Sequence, residues 1–128
     1  MLAYLLIAMG SALGGMARYF AQGVFATLTG GVFPYGTMFV NVTGAIVIGF
    51  FATFTGPDSR FMVGVPTRQF VMVGLCGGYT TFSSFSLETL NLIRNGEILP
   101  ATLNAVGSVV LCLIFVWLGH VVAATVSQ

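Results

Sequence analysis

The stretch GLCGGYTTFSSFS, residues 74–86, decides the fold because it places a dense polar run inside an apolar segment. Its last eight residues carry six hydroxyl side chains and two phenylalanines, Phe82 and Phe85. No formal charge occurs between Gln69 and Leu87. If this uncharged segment lies within a membrane, the surrounding lipid offers it no hydrogen bonds. The hydroxyl groups then need partners in protein, water or a bound solute.

The whole chain has the composition of a membrane protein. Of its 128 residues, 57% are hydrophobic and 5% are charged, whereas a soluble domain has about 25% charged residues. The sequence therefore predicts an all-α membrane protein, folded as a single four-helix transmembrane domain over residues 1–128. The net charge of +1, with no basic patch, argues against nucleic acid as a partner.

Prolines and glycines mark the borders of four predicted spans. The spans cover about Leu2–Leu28, about Pro34–Thr55, the stretch from about Pro66 to just before Asn95, and about Ile98–Val126. Glycines within the first two spans predict close helix packing; they are Gly10, Gly14, Gly15, Gly44 and Gly49. Cys76 and Cys112 lie in apolar segments and are predicted to be buried, free thiols.

The four arginines predict no preferred orientation in the membrane. Arg60 and Arg68 fall on one side, and Arg94 and Arg18 fall on the other. The positive-inside rule then has little to act on. We therefore expect the chain to insert both ways up and to pair as an antiparallel, dual-topology homodimer.

The middle of the third span has two interpretations. Gly77 and Gly78 are followed by two threonines, and each glycine costs a helix about 1 kcal/mol relative to alanine. A helix broken there would free carbonyl groups, which bind Na⁺ in the broken helices of transporters. The alternative is a glycine packing site in an unbroken helix, and the residues leave both open.

The hydroxyl run also has two interpretations. Hydroxyl groups in a membrane helix often bond back to their own helix, but their density here favours a lined path for a small solute. Phe82 and Phe85 share one helical face. An aromatic ring is electropositive at its edge, so two edges on a path favour a small anion. Ordinary core packing of the two rings is the alternative.

Other polar residues in the spans are few. Asn41 is the amide within the second span, and it either bonds another helix or faces the path. Ser108 extends the hydroxyl track into the fourth span. Arg18 either snorkels to the interface or raises the anion concentration at a vestibule. Glu88 is expected to pair with Arg94 or with a partner chain.

Three stretches carry a resemblance to a known family, namely GGMARYF (14–20), FVNVTGAIVIGF (39–50) and GLCGGYTTFSSFSLET (74–89). Their order, the chain length and the span count resemble the Fluc (CrcB-type) family of fluoride channels. The resemblance implies an antiparallel homodimer with two pores in a prokaryotic inner membrane. It also implies passive, selective export of fluoride, and hence fluoride resistance.

The resemblance assigns roles to individual residues. Phe82 and Phe85 match the phenylalanine box of the family, and Asn41 matches its pore asparagine. Gly77 and Thr80 match carbonyl groups around a central structural Na⁺. The residues that resemble its polar track are Thr81, Ser83, Ser84 and Ser108.

The remaining matches concern the ends of the pathway and the fourth span. Arg18 matches the first-span arginine, placed with Glu88 in the vestibule. Asn104 departs from related sequences, which often have an aromatic residue there. Cys112, one turn beyond Ser108, is a second departure.

Several other functions are less compatible with the sequence. Small multidrug antiporters resemble one another in carrying a glutamate in the first span, and residues 1–57 contain no acidic residue. An ion-coupled fluoride exchanger needs embedded titratable groups, which are scarce here. A helical scaffold explains the glycines but not the hydroxyl run. The lone His120, without a nucleophile–base pair, argues against an enzyme.

Overall fold

The computed structural model describes residues 1–127, which fold entirely into helices and connecting turns. In chain order the elements are α1 (Leu2–Thr29), α2 (Tyr35–Phe54), α3 (Val65–Arg68), a π-helical segment (Gln69–Cys76), α4 (Gly77–Tyr79), α5 (Phe82–Arg94) and α6 (Ile98–Ser127). Four stretches are long and apolar enough to cross a bilayer: α1, α2, Val65–Arg94 and α6. The prediction of an all-α membrane protein with four spans is confirmed, and each border lies within a few residues of its expected place.

Turn chemistry sets the borders of the first two spans. Helix α1 ends at Thr29 and is capped by Gly30, whose φ of 77° is a left-handed conformation that favours glycine. Pro34 immediately precedes α2. The Arg68 guanidinium donates to the Ala52 carbonyl at 3.3 Å and to the Thr55 hydroxyl at 2.6 Å. Arg68 therefore provides hydrogen-bond donors for the C-terminal end of α2 and links the third span to the second.

Glycines allow the spans to approach backbone to backbone. Helix α1 packs on the π-helical segment and α4, while α2 packs along α6. A methyl group added at Gly14 would overlap the Leu75 carbonyl oxygen, and one added at Gly49 would overlap that of Val116. The predicted close packing is confirmed at Gly10, Gly14 and Gly49 against backbone and at Gly44 against the Thr80 side chain. Gly15 has no such neighbour within 4 Å among the described residues.

The third span changes backbone conformation near its middle. Helix α4 ends at Tyr79 and α5 begins at Phe82. Between them Thr80 (φ −86°, ψ 157°) and Thr81 (φ −152°, ψ 112°) are extended. Gly78 is helical and packs on the backbone of α1, so the threonines and not the glycines carry the extended conformation.

The glycine contacts predict a selective effect of bulk on α1. Replacing Gly14 by leucine forces a side chain into the Leu75 backbone, and overpacking of this kind costs about 1–3 kcal/mol. We expect Gly14→Leu to lower the unfolding temperature in detergent clearly, measured by circular dichroism. Gly15→Leu is the matched control, and equal unfolding temperatures for the two variants would contradict the packing described.

Candidate functional site

A cavity of about 420 Å³ lies beside the extended residues of the third span. Its walls come from α2, the π-helical segment, α4, the extended threonines, α5 and α6. The predicted site residues that line it are Asn41, Gly77, Thr80, Thr81, Phe82, Phe85 and Ser108. Residues from three different spans are therefore brought together at one place.

The Asn41 side chain holds the backbone of Thr81 at two points. The Thr81 N–H donates to Asn41 Oδ1 at 2.7 Å, and Asn41 Nδ2 donates to the Thr81 carbonyl at 3.1 Å. In an uninterrupted helix the Thr81 N–H would donate to the carbonyl of Gly77. Asn41 thus replaces that partner, and the Gly77 carbonyl is left without it.

The Thr81 side chain caps the N-terminus of α5. Its Oγ1 accepts a hydrogen bond from the Ser84 N–H at 3.1 Å, which is the bond of an N-cap residue. The same oxygen lies 3.2 Å from Ser83 Oγ. Thr81 is buried and lines the cavity, whereas Ser83 is exposed and lies outside it.

Several hydroxyl groups of the run bond locally. Thr80 Oγ1 donates to the Cys76 carbonyl at 2.9 Å, and Ser86 makes the same kind of bond to its own helix. The Tyr79 and Thr43 hydroxyls bond each other at 2.9 Å and link α4 to α2. Back-bonding therefore accounts for part of the hydroxyl density, and few of these groups remain for a solute.

The two phenylalanines line the cavity from different positions. Their ring centroids lie 5.4 Å apart with an interplanar angle of 44°. Phe85 is half-buried, whereas Phe82 is 76% exposed on the surface of the single chain. The Phe82 ring therefore covers the rim of the cavity and is open to the surroundings of the single chain.

A second cavity, of about 480 Å³, lies between α1, α2 and α5. Ser84 and Glu88 line this cavity and not the first one. Gln22 Nε2 donates to Thr37 Oγ1 at 2.9 Å, and the Thr37 hydroxyl donates to Glu88 Oε1 at 2.8 Å. Within residues 1–127, the buried Oε2 of Glu88 has no hydrogen-bond partner.

Sequence reasoning missed Gln22 and Thr37. A signal was present, since Gln22 lies one turn after Arg18 on α1, and Thr37 lies one turn before Asn41 on α2. Arg18 is half-buried and lines neither cavity. The structure thus places Glu88 in a polar recess but does not bring Arg18 into it.

The fourth span contributes a buried polar column. Asn104 Nδ2 donates to Thr89 Oγ1 at 2.9 Å, and Ser108 Oγ donates to Asn104 Oδ1 at 3.3 Å. Cys112, one turn further, lines the first cavity together with Cys76. Both thiols are free, as predicted, although Cys112 is only half-buried.

The bonds of Asn41 predict a large effect of its removal. Asn41→Leu leaves the Thr81 N–H and carbonyl without their partners, and each unsatisfied buried group costs about 1–3 kcal/mol. We expect a lower unfolding temperature and faster hydrogen exchange of the Thr81 amide, measured by NMR in detergent.

The matched control for this variant is Asn91→Leu, which replaces an exposed amide on α5. It is expected to unfold near the wild-type temperature. A Thr81 amide that stays protected from exchange in Asn41→Leu would contradict the role assigned to Asn41.

Comparison with known proteins identifies a family and several relatives of this chain. A family model described as CrcB-like protein, Camphor Resistance (CrcB), matches residues 5–120. The chain is 58% identical over 125 residues to a fluoride-specific ion channel FluC of Methylocella silvestris, covering 98% of this chain and 95% of the relative.

Proteins of the same name from Opitutus terrae and Rhodospirillum rubrum are each 55% identical over 125 residues. These matches cover 98% of this chain and 95% and 97% of the two relatives. Because the family model and the relatives span nearly the whole sequence, the chain belongs to the CrcB-like family, as its motifs predicted.

Proposed function

We propose that the protein is a fluoride-selective ion channel, which lets fluoride leave the cell passively and so gives fluoride resistance. The observation that carries this proposal is the cavity in which Asn41, Phe85 and Ser108 meet beside the extended threonines. Relatives up to 58% identical are named fluoride-specific ion channels. Membership of this family confirms that the chain is not an enzyme.

Neutral donors in the cavity suit a small, strongly hydrated anion. Passage through an apolar wall without replacement of its water would be prohibitive. Asn41 Nδ2 carries two hydrogens, and the Thr81 carbonyl takes one of them. Since Asn41 Oδ1 accepts from the Thr81 N–H, the amide group left for a solute is a donor. The Ser108 hydroxyl is a second donor on the same cavity.

The two rings supply the rest of the anion's surroundings. The edge of a phenyl ring is electropositive, so Phe85 and Phe82 at the cavity wall favour an anion over a cation. Phe82 is 76% exposed in the single chain, which supports a second copy as its neighbour. We place the two copies antiparallel, with one fluoride path beside each cavity and therefore two pores in the dimer.

The interruption also supports a structural Na⁺ between the two copies. The Gly77 carbonyl lacks the N–H of Thr81, which bonds Asn41 instead. The Thr80 carbonyl belongs to the extended pair. Carbonyl oxygens at a helix interruption are the ligands that transporters use for Na⁺. Gly77 and Thr80 of both chains would hold the ion and supply a fixed positive charge.

The second cavity serves as the vestibule in this proposal. Ser84 and Glu88 line it, and the Thr37 hydroxyl fixes one oxygen of the carboxyl group. The Ser83 hydroxyl, 3.2 Å from that of Thr81 in the first cavity, would continue the polar track toward the vestibule residue Ser84. Arg18, outside both cavities, would raise the anion concentration near the entrance through its charge. The membrane proposed is the cell inner membrane.

Purified protein in liposomes is expected to pass fluoride far faster than chloride, measured with ion-selective electrodes. Efflux down a fluoride gradient should proceed equally with and without a proton gradient, because a channel needs no coupling ion. Equal rates for the two halides would refute fluoride selectivity. Efflux that depends on the proton gradient would favour an ion-coupled exchanger or a multidrug-type antiporter instead.

Replacing either ring should slow fluoride while the dimer survives. Phe82→Ile and Phe85→Ile remove the electropositive edges, and a loss of about 1.4 kcal/mol for the passing ion lowers the rate about tenfold. Phe20→Ile is the matched control, since Phe20 is an exposed aromatic on α1 that does not line this cavity. Unchanged flux in both site variants would contradict the role of the rings.

A further inference from the structure

We propose that Asn104 is a positioning residue for Ser108. It accepts the Ser108 hydrogen bond while the cavity is empty, so that the hydroxyl group is ready to donate to each passing anion. This inference rests on the proposed fluoride path, because Ser108 lines the first cavity. Asn104 itself does not line that cavity, so it acts through Ser108.

A directed chain of hydrogen bonds fixes the orientation of the Asn104 amide. The Thr89 hydroxyl donates to the Phe85 carbonyl at 2.7 Å, which commits its hydrogen. Thr89 Oγ1 can then only accept, and it does so from Asn104 Nδ2 at 2.9 Å. The other side of the amide, Oδ1, therefore faces Ser108.

Burial makes this orientation stable. Asn104 is 1% exposed, so its amide is shielded from solvent. A reversed amide would set Oδ1 against an oxygen of Thr89 that has no hydrogen left to give. An unsatisfied buried polar group is expensive, so Oδ1 stays available to Ser108.

The bond between Ser108 and Asn104 is weak enough to be exchanged. Its length of 3.3 Å exceeds the range of about 2.5–3.0 Å for O–H···O bonds. A hydrogen bond to an anion is roughly twice as strong as one between neutral groups. When an anion enters the cavity, the Ser108 O–H therefore turns to donate its hydrogen bond to the anion. When the anion leaves, the same O–H donates to Asn104 Oδ1 again.

The alternative for a serine in a helix is visible on the same helix. Thr102 donates to the Ile98 carbonyl, four residues earlier, at 2.9 Å. Without Asn104, Ser108 would adopt this shorter back-bond and turn its proton away from the cavity. The Asn104 amide thus keeps the Ser108 hydroxyl in a weak hydrogen bond. With an apolar residue at position 104, the hydroxyl would donate to a backbone carbonyl of its own helix instead.

The experiment measures fluoride efflux from proteoliposomes for Asn104→Leu, Ser108→Ala and the double variant. We expect Asn104→Leu to lower flux about fivefold, the rate equivalent of one hydrogen bond. Added to Ser108→Ala, it should lower flux no further, since both changes remove the same donor. Thr102→Val is the matched control on α6, and its flux is expected to equal that of the wild type.

Each remaining outcome overturns the proposal. Wild-type flux in Asn104→Leu, or a further loss in the double variant, shows that Asn104 does not act through Ser108, while the fluoride path stands. No fluoride flux in the wild type removes both. If Asn104→Leu does not form dimers on size exclusion, Thr89→Val replaces it, because loss of the Thr89 hydroxyl frees the Asn104 amide to rotate. Thr89→Val should then lower flux relative to the wild type, but should not lower it further when added to Ser108→Ala. Any other result for these two comparisons overturns the proposal.

Discussion

The pairing of the Asn41 amide with the backbone of Thr81 is the constraint on which the rest of the site depends. Within a bilayer every backbone N–H and carbonyl needs a partner from the protein or from a wet cavity. Thr81 is extended, and Asn41 provides a partner for both of its backbone groups. This pairing joins α2 to the third span at the wall of the cavity and takes the Thr81 N–H away from the Gly77 carbonyl.

Two amide side chains, the half-buried Asn41 and the buried Asn104, organise the hydrogen bonds beside the cavity. Asn41 is anchored to Thr81 and keeps a donor for a solute, whereas Asn104 is anchored to Thr89 and keeps an acceptor for Ser108. Neither group carries a charge, which suits the proposed passage of an anion that must also be released. Two other hydroxyl groups of the run, those of Thr80 and Ser86, bond to carbonyl groups four residues earlier in the chain.

Composition and periodicity were sufficient for the membrane class, the four spans and the packing of Gly10 and Gly14. Asn41, Thr81 and Ser108, which line the first cavity, could be singled out from the sequence because an apolar span offers few places for a polar side chain. The partners of those residues could not be predicted. The bond from Thr37 to Glu88 joins residues 51 positions apart and depends on helix rotation, which no local pattern fixes. The exposure of Phe82 on the single chain could not be predicted either, because its helical face is shared with the half-buried Phe85.

The most direct test is NMR of the Asn41 side chain in ¹⁵N-labelled protein, with fluoride and then chloride added. We predict that one of the two Nδ2 protons shifts with fluoride but not with chloride. The other, bonded to the Thr81 carbonyl, should stay in place, and the Thr81 amide should exchange slowly throughout. Two Nδ2 signals that ignore fluoride, or a Thr81 amide that exchanges as fast as an exposed one, would contradict the structure and role assigned to this pair.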